Sequence, residues 1–235
     1  MVSRFLRDAV RLFVYWHIKT ENIVFMQKKE NRIIGIRQET DHSYLNYYSL
    51  RVRYRRGSEA DYFIASRARD SKELKLTTGR NDPDGVLIYA VCRGETERVV
   101  LIRQFRYSLG EYVYEFPAGL IEAGETITQA AEREFLEETG MRLEPIDADD
   151  MYTLPRFTTV GMTDESCATV FGYASGEPSA SGEEASEDIS VVLADRDEVR
   201  RILREEKVAA MCAYMLMHFI HDSGDPLAFV RQKGE

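Results

Sequence analysis

An α+β fold, with helices packed against a mixed sheet, is what this sequence predicts, and three observations carry the prediction. Runs rich in aromatic and β-branched residues recur from residue 47 to residue 193 and read as strands. Helix-like runs fall among them without the regular alternation of a doubly wound sheet. With 235 residues, 44% hydrophobic and 30% charged, the chain can fill one large core, or one core and a small extra domain.

The elements follow in order. Residues 47–54 and 60–65 are strand-like, and Arg55-Arg56-Gly57-Ser58-Glu59 between them reads as a hairpin turn. A polar stretch ends in the turn cluster Asn81-Asp82-Pro83-Asp84-Gly85. Residues 86–92 and 99–106 are strands, and 112–116 is a short one stopped by Pro117. Residues 126–139 read as a helix: Thr126 and Gln129 make a capping box, and Gly140 closes the far end. Ile127, Ala131 and Phe135 would form its buried stripe. Strands are expected at 152–157, 167–173 and 189–193, a Gly/Ser/Glu-rich loop at 176–186, and helices at 195–205 and 208–221. The resulting division is a peripheral extension (1–43), an antiparallel β subdomain suited to dimerisation (44–80), a main domain (81–224) and a tail (225–235).

Composition narrows the function classes. The net charge of −9 argues against a nucleic-acid or membrane-surface partner, which would need a positive field. It leaves room for a phosphate substrate, because bound cations reverse the sign of an acidic site. Cys92, Cys167 and Cys212 are odd in number and far apart, which fits reduced thiols in a cytoplasmic protein. His218 and His221 lie three apart on an apolar helix with no partner ligand in view, so packing is the expected role. Near the start, Leu12-Phe13-Val14-Tyr15-Trp16 is too short to span a bilayer and has no small-residue cleavage site after it. An amphipathic docking helix fits it, and so does a natural start at Met26.

The chemistry is concentrated between residues 119 and 141. Glu134, Glu137 and Glu138 are spaced three and four apart, so they share one helical ridge beside the buried stripe. Like charges packed this way destabilise a helix unless something positive sits among them. Clustered hard oxygen ligands suit Mg²⁺ or Mn²⁺. Arg133 is placed to pair with Glu125 or Glu137. Gly119 and Gly124 allow unusual backbone angles or a close approach in the loop before the helix.

A solvated Glu-rich helix face is the bland alternative, and the whole pattern weighs against it. It runs Gly119, five residues, Glu125, seven residues, Arg133-Glu134, an apolar residue, any residue, Glu137-Glu138, any residue, Gly140, then an apolar residue. With each fixed position at a frequency of roughly 0.07, chance occurrence is on the order of one in a million. The segment resembles the Nudix box, without a departure. That resemblance implies an α/β/α sandwich around a mixed sheet and hydrolysis of a nucleoside diphosphate linked to another group. It also implies that Glu134 and Glu138 are metal ligands, that Glu137 lies in or near the shell, and that the Ala118 carbonyl can add a backbone ligand. Glu125 and Arg133, with Gly119 and Gly140, would hold the loop–helix–loop in shape.

The surroundings resemble the ADP-ribose pyrophosphatase and nucleotide-sugar branch. The residues concerned are Leu101-Ile102-Arg103-Gln104-Phe105-Arg106, Glu115-Phe116-Pro117-Ala118-Gly119-Leu120-Ile121-Glu122, the N-terminal hairpin and Thr163-Asp164-Glu165-Ser166. This implies that Arg106 and Glu165 contact substrate and that a loop glutamate assists the chemistry. Glu187 is the first choice, Glu184 the second, with Glu183 and Asp188 nearby. A homodimer is expected, with a small-molecule nucleoside diphosphate derivative as partner. The competing readings are a nucleoside triphosphate pyrophosphohydrolase, which the extra hairpin disfavours, and a non-catalytic nucleotide-sugar sensor, which the intact box disfavours.

Overall fold

The computed structural model describes residues 32–179, 188–221 and 224–231. Three strands, β1 (Ile33–Gln38), β2 (Asn46–Arg53) and β3 (Glu59–Ser66), form a first sheet in that order. β1 falls inside the segment 1–43 that sequence pattern left as an extension. Its Ile-Ile-Gly-Ile-Arg-Gln run is too short and too Gly-broken to stand out, and it becomes a strand by pairing with β2. The apolar run at 12–16 lies outside the described residues.

Contacts divide the chain into two units: residues to 36 with 50–62, and residues 37–49 with 63–235. In the first, Arg51 pairs with Asp61 at 3.2 Å and Arg53 with Glu59 at 3.0 Å. These pairs are exposed and contribute at most about 1 kcal/mol each. In the second, Tyr48 is fully buried and its hydroxyl donates to the Ala68 carbonyl at 2.8 Å. The rings of Tyr47 and Phe63 stack at 5.7 Å, and both are exposed.

After the short helix α1 (Lys75–Thr78), the second unit is built on an eight-stranded sheet. Its strands are β4 (Gly85–Cys92), β5 (Arg98–Arg106), β6 (Glu111–Glu115), β7 (Ala118–Leu120), β8 (Arg142–Pro145), β9 (Arg156–Phe157), β10 (Ser166–Ser175) and β11 (Ile189–Ala194). The main path runs β11-β5-β4-β10-β8, with β6 on β5, β7 on β4 and β9 on β10. β4 and β10 pair in parallel, Gly85 opposite Cys167, whereas β5 runs antiparallel to β4, β6 and β11. The sheet is therefore mixed.

β4 is apolar on both faces, so both must be covered. Val86, Ile88 and Ala90 pack with Ala130, Ala131 and Phe135 of helix α2 (Ile127–Thr139). Tyr89 and Val91 face the other way. They join a cluster with Val199 and Ile202 of α4 (Arg196–Glu205), Cys212, Leu216 and Phe219 of α5 (Ala210–His221), and Val230 of α6 (Ala228–Arg231). Helices on both faces of a mixed sheet give the expected α/β/α layering.

Several expectations change. Residues 152–157, read as a strand, split into α3 (Asp150–Thr153) and the two-residue β9. Asp149 accepts from the Met151 N–H at 2.8 Å and caps that turn, a local bond that outcompetes strand propensity. Residues 225–231, read as a tail, are packed: Leu227 and Val230 are fully buried, and Asp225 accepts from the Leu227 N–H at 3.0 Å. Ile127 does not belong to the buried stripe of α2. It sits in the first turn and is 36% exposed, and Ala130 takes its place. His218 lies against the Phe229 ring at 4.3 Å, a packing role. Among the described residues no helix is long and apolar enough to cross a membrane.

Candidate active site

Helix α2 begins where its sequence says it must. The Thr126 hydroxyl accepts from the Gln129 N–H at 3.2 Å, and the Gln129 side chain accepts from the Thr126 N–H at 2.9 Å. The helix ends at Gly140, whose φ of 67° lets its N–H reach the Leu136 carbonyl at 2.8 Å. A side chain at Gly140 would be strained by that angle and would also meet Ser179.

The carboxylate ridge faces β7. A Cβ added at Gly119 would lie 1.9 Å from the Glu134 carboxyl carbon, so only glycine lets that carboxylate rest against the strand. Gly119 needs space and not a positive φ, whereas Gly124 does adopt one, at 91°. Next door, the Ala118 N–H donates to Glu138 Oε2 at 2.9 Å. Glu138 is only 3% exposed. A carboxylate so buried is stable when it is hydrogen-bonded or meets positive charge. Glu137 is more open, with 47% of its side chain exposed.

Arg133 supplies the positive charge among these groups. It binds Glu125 through two contacts of 2.8 and 2.9 Å, Glu134 at 2.9 Å, Glu137 at 3.1 Å and the Leu120 carbonyl at 3.0 Å. Glu125 Oε2 also accepts from the Glu122 N–H at 3.0 Å, closing the loop before the helix. The Arg133 bonds, with that backbone bond, hold the Glu125 carboxyl well below its ordinary range, at about 2. Glu125 in turn pushes Arg133 upward.

Among the described residues, no three His, Cys, Asp or Glu side chains converge into a ready-made metal cage. The two carboxylates pressed against Ala118 and Gly119 form an oxygen-only, partly built site. That donor set fits a cation such as Mg²⁺, which keeps several waters and completes its shell with substrate phosphates. It does not fit zinc, which takes nitrogen and sulfur ligands in a closed tetrahedron.

The other sequence candidates fall as follows. Arg106, at the end of β5, donates twice to Glu115, both at 2.7 Å. Strand alternation puts it on the sheet face that α2 covers, because Val100 of the same strand packs there. Glu165 is bound by Arg67 at 2.7 Å and by the Thr158 hydroxyl at 3.1 Å, while Asp164 accepts from the Lys75 N–H. Glu183, Glu184 and Glu187 lie outside the described residues. Sequence reasoning missed Glu115, whose link to Arg106 needs the β5–β6 register. It also missed Tyr112, which donates to Asp188 at 2.6 Å and so ties β6 to the start of β11. No spacing signal marks either pair.

Comparison with known proteins agrees with this layout. The profile of the NUDIX domain matches residues 81–213, more than half of the chain. The mouse ADP-sugar pyrophosphatase is 42% identical over 81 residues, 33% of this chain and 37% of that protein. The ADP-ribose pyrophosphatase of Saccharomyces cerevisiae is 33% identical over 93 residues, 38% of this chain and 40% of that protein. The matched stretches thus span less than half the length of these relatives. The crystal structure of an ADP compounds hydrolase superposes with a TM-score of 0.52 at 17% identity, covering 74% of this chain and 82% of the other, which shows a shared fold.

Proposed function

Since the chain belongs to the Nudix family, we propose that it cleaves the pyrophosphate bond of ADP-ribose or a related nucleoside diphosphate sugar, releasing a nucleoside monophosphate and a sugar phosphate. The observation that carries this reading is the Glu134–Glu138 pair seated on Ala118 and Gly119, with Arg133 bound to Glu134. The named relatives, an ADP-sugar and an ADP-ribose pyrophosphatase, support the choice of substrate class.

Glu134 and Glu138 would hold a divalent cation, Mg²⁺ or Mn²⁺, with the Ala118 carbonyl as an added ligand and Glu137 at the edge of the shell. Such a cation supplies charge neutralisation at the pyrophosphate and lowers the pKa of a water. Arg106, which also holds Glu115, binds a phosphate of the substrate. Glu165, just before β10 and beside β9, contacts the substrate as well. Glu187, or Glu184 in its place, takes the proton of the attacking water. Gly119, Glu125, Arg133 and Gly140 keep the loop–helix–loop in shape.

The aromatic load on a three-stranded sheet supports a homodimer formed through residues 44–80, since so small a sheet is marginal alone. The unpaired thiols support a cytoplasmic location. Light scattering at micromolar concentration tests the dimer, and a monomer there rules it out.

The decisive experiment is a turnover screen with Mg²⁺, repeated in excess chelator. The substrates are ADP-ribose, ADP-glucose, UDP-glucose, NADH and dinucleoside polyphosphates. Chelator-sensitive release of nucleoside monophosphate from a nucleoside diphosphate sugar is the expected result. Full turnover in chelator, or preference for a nucleoside triphosphate, overturns the reading.

A further inference from the structure

Strand β10 is paired along only part of its outer edge. β8 covers residues 172–175 there and β9 covers 166–167. Between them, residues 168–171 have no strand partner on that side among the described residues, although β4 pairs with them on the other. The Phe171 carbonyl accepts from the Ile146 N–H at 2.9 Å, and the Glu165 carbonyl from the Thr158 N–H at 3.0 Å. Odd-numbered residues of β10 therefore turn their backbone groups outward, and Thr169 does so in the middle of the gap. The Thr169 N–H and C=O and the Phe171 N–H meet no partner among the described residues. Backbone groups left open in this way are met by water or by a ligand.

This edge borders a cavity of about 360 Å³, within the size range of small-molecule sites. Ile127, in the first turn of α2, lines it together with Leu154 and Pro155, which follow α3. α2 covers one face of the sheet, whereas Tyr152 of α3 packs with the cluster on the other. The cavity is thus a slot that continues the plane of the sheet between apolar walls, a shape that suits a flat ring. Ile127 and Leu154 are both left exposed by the fold. A further strand does not fit, because β8 and β9 close the gap at its two ends.

The polar edge says which ring. The Thr169 C=O and the Phe171 N–H are neighbours, an acceptor beside a donor. Their complement is an amino group beside a ring nitrogen, the pair that adenine carries. Hypoxanthine carries the reverse pair and would set acceptor against acceptor and donor against donor. Asp147 and Asp150 also line the cavity and are exposed. Carboxylates there accept from ribose hydroxyls and repel a phosphate, which favours a nucleoside over a nucleotide.

We propose that the slot beside β10 is a binding site for an adenine-type nucleoside, whose amino group donates to the Thr169 carbonyl and whose ring nitrogen accepts from the Phe171 N–H. The site is separate from the carboxylate ridge. Leu87 stands between Thr169 and Ala118 in the register, so two strand spacings, roughly 10 Å, part their backbones. The assignment does not depend on the reaction proposed above.

The test is amide NMR of the isotope-labelled full chain, titrated with adenosine and with inosine. Adenosine is expected to move the Phe171 amide proton downfield in a saturable manner, and inosine to bind at least about 10-fold more weakly. Leu154→Trp fills the slot from an exposed position, and is expected to abolish the adenosine response with the melting temperature unchanged. Thr128→Trp takes its place should that variant fold poorly. An equal response to both nucleosides, no response at Phe171, or unchanged adenosine affinity in a folded slot variant overturns the site and leaves the edge to ordered water.

Discussion

Helices α2 and α5 have 13 and 12 residues and cover opposite faces of one sheet, yet they are built on different terms. α5 buries Cys212, Leu216 and Phe219 and contains no Asp, Glu, Lys or Arg. α2 buries Ala130, Ala131 and Phe135, and with them the carboxylate of Glu138. It also gathers Glu134 and Glu137 round a single arginine. A helix that only supports the fold can satisfy itself with apolar contacts. A helix that carries a charged candidate site accepts repulsion and burial of charge, and surrounding bonds must offset both. The difference predicts that damage to α2 is read in activity and damage to α5 in stability.

The largest effects should separate two kinds of glutamate within the site. Glu138→Gln is expected to weaken metal binding and to lower turnover by at least about 100-fold. Glu187→Gln is expected to lower kcat by roughly 10²- to 10⁴-fold while leaving substrate-free metal affinity intact. Metal titration calorimetry beside kinetics at saturating Mg²⁺ distinguishes them. Wild-type kcat in the Glu187 variant would move the role to Glu184 or Glu183.

Next in size is Gly119→Ala. Its Cβ would occupy the place of the Glu134 carboxyl group. Displacement near one ångström costs on the order of 100-fold in rate, and the sheet should survive because Gly119 lies in the three-residue β7. A melting curve near that of the wild type with kcat down two orders of magnitude is expected. Normal kcat would mean that Glu134 relocates freely and is not preorganised.

Leu216→Ala sharpens the contrast from the other side. Leu216 is fully buried in α5, and truncation there typically destabilises by about 2–5 kcal/mol. Urea titration should show that loss, while kcat per folded molecule stays unchanged. A fall in kcat at constant folded fraction would couple the two faces and break the comparison.

The smallest effect concerns pH. Arg133 depresses the Glu125 carboxyl from 4.5 to about 2, so the stabilisation from this pair is present above pH 4.5 and is lost as pH falls through about 2. The stability difference between wild type and Glu125→Gln should be constant above pH 5 and vanish toward pH 2. A difference that persists at pH 2 would assign the effect to packing.

The placement of the candidate site residues was more legible in the sequence than the frame around them. Fixed spacing along a helix places side chains by arithmetic, so Glu134, Glu138 and Arg133 could be located before any fold was known. The capping box at Thr126 held for the same reason. Residues 152–157 depart from the strand reading because the local Asp149 cap has no periodicity to announce it, and residues 225–231 depart from the tail reading because the burial of Leu227 and Val230 depends on partners far along the chain. β7 and β8 are three and four residues long, below the length at which alternation is visible. The Arg106–Glu115 and Tyr112–Asp188 links needed the β5–β6–β11 register, which no single strand announces.

The parallel pairing of β4 with β10 bears on how the molecule is made. Ser166 donates its N–H to Asp84 across a sequence separation of 82, and the register of the two strands starts beside that bond. Everything from Gly119 to Gly140 lies inside that closure. Long closures of this kind form late, because chain entropy is lost before the contacts repay it. During synthesis the acidic helix therefore emerges well before the strand that completes its floor. A growing chain would carry the whole Nudix pattern yet remain inactive until β10 has left the ribosome, so fragments ending before residue 166 should bind metal weakly, however intact their motif.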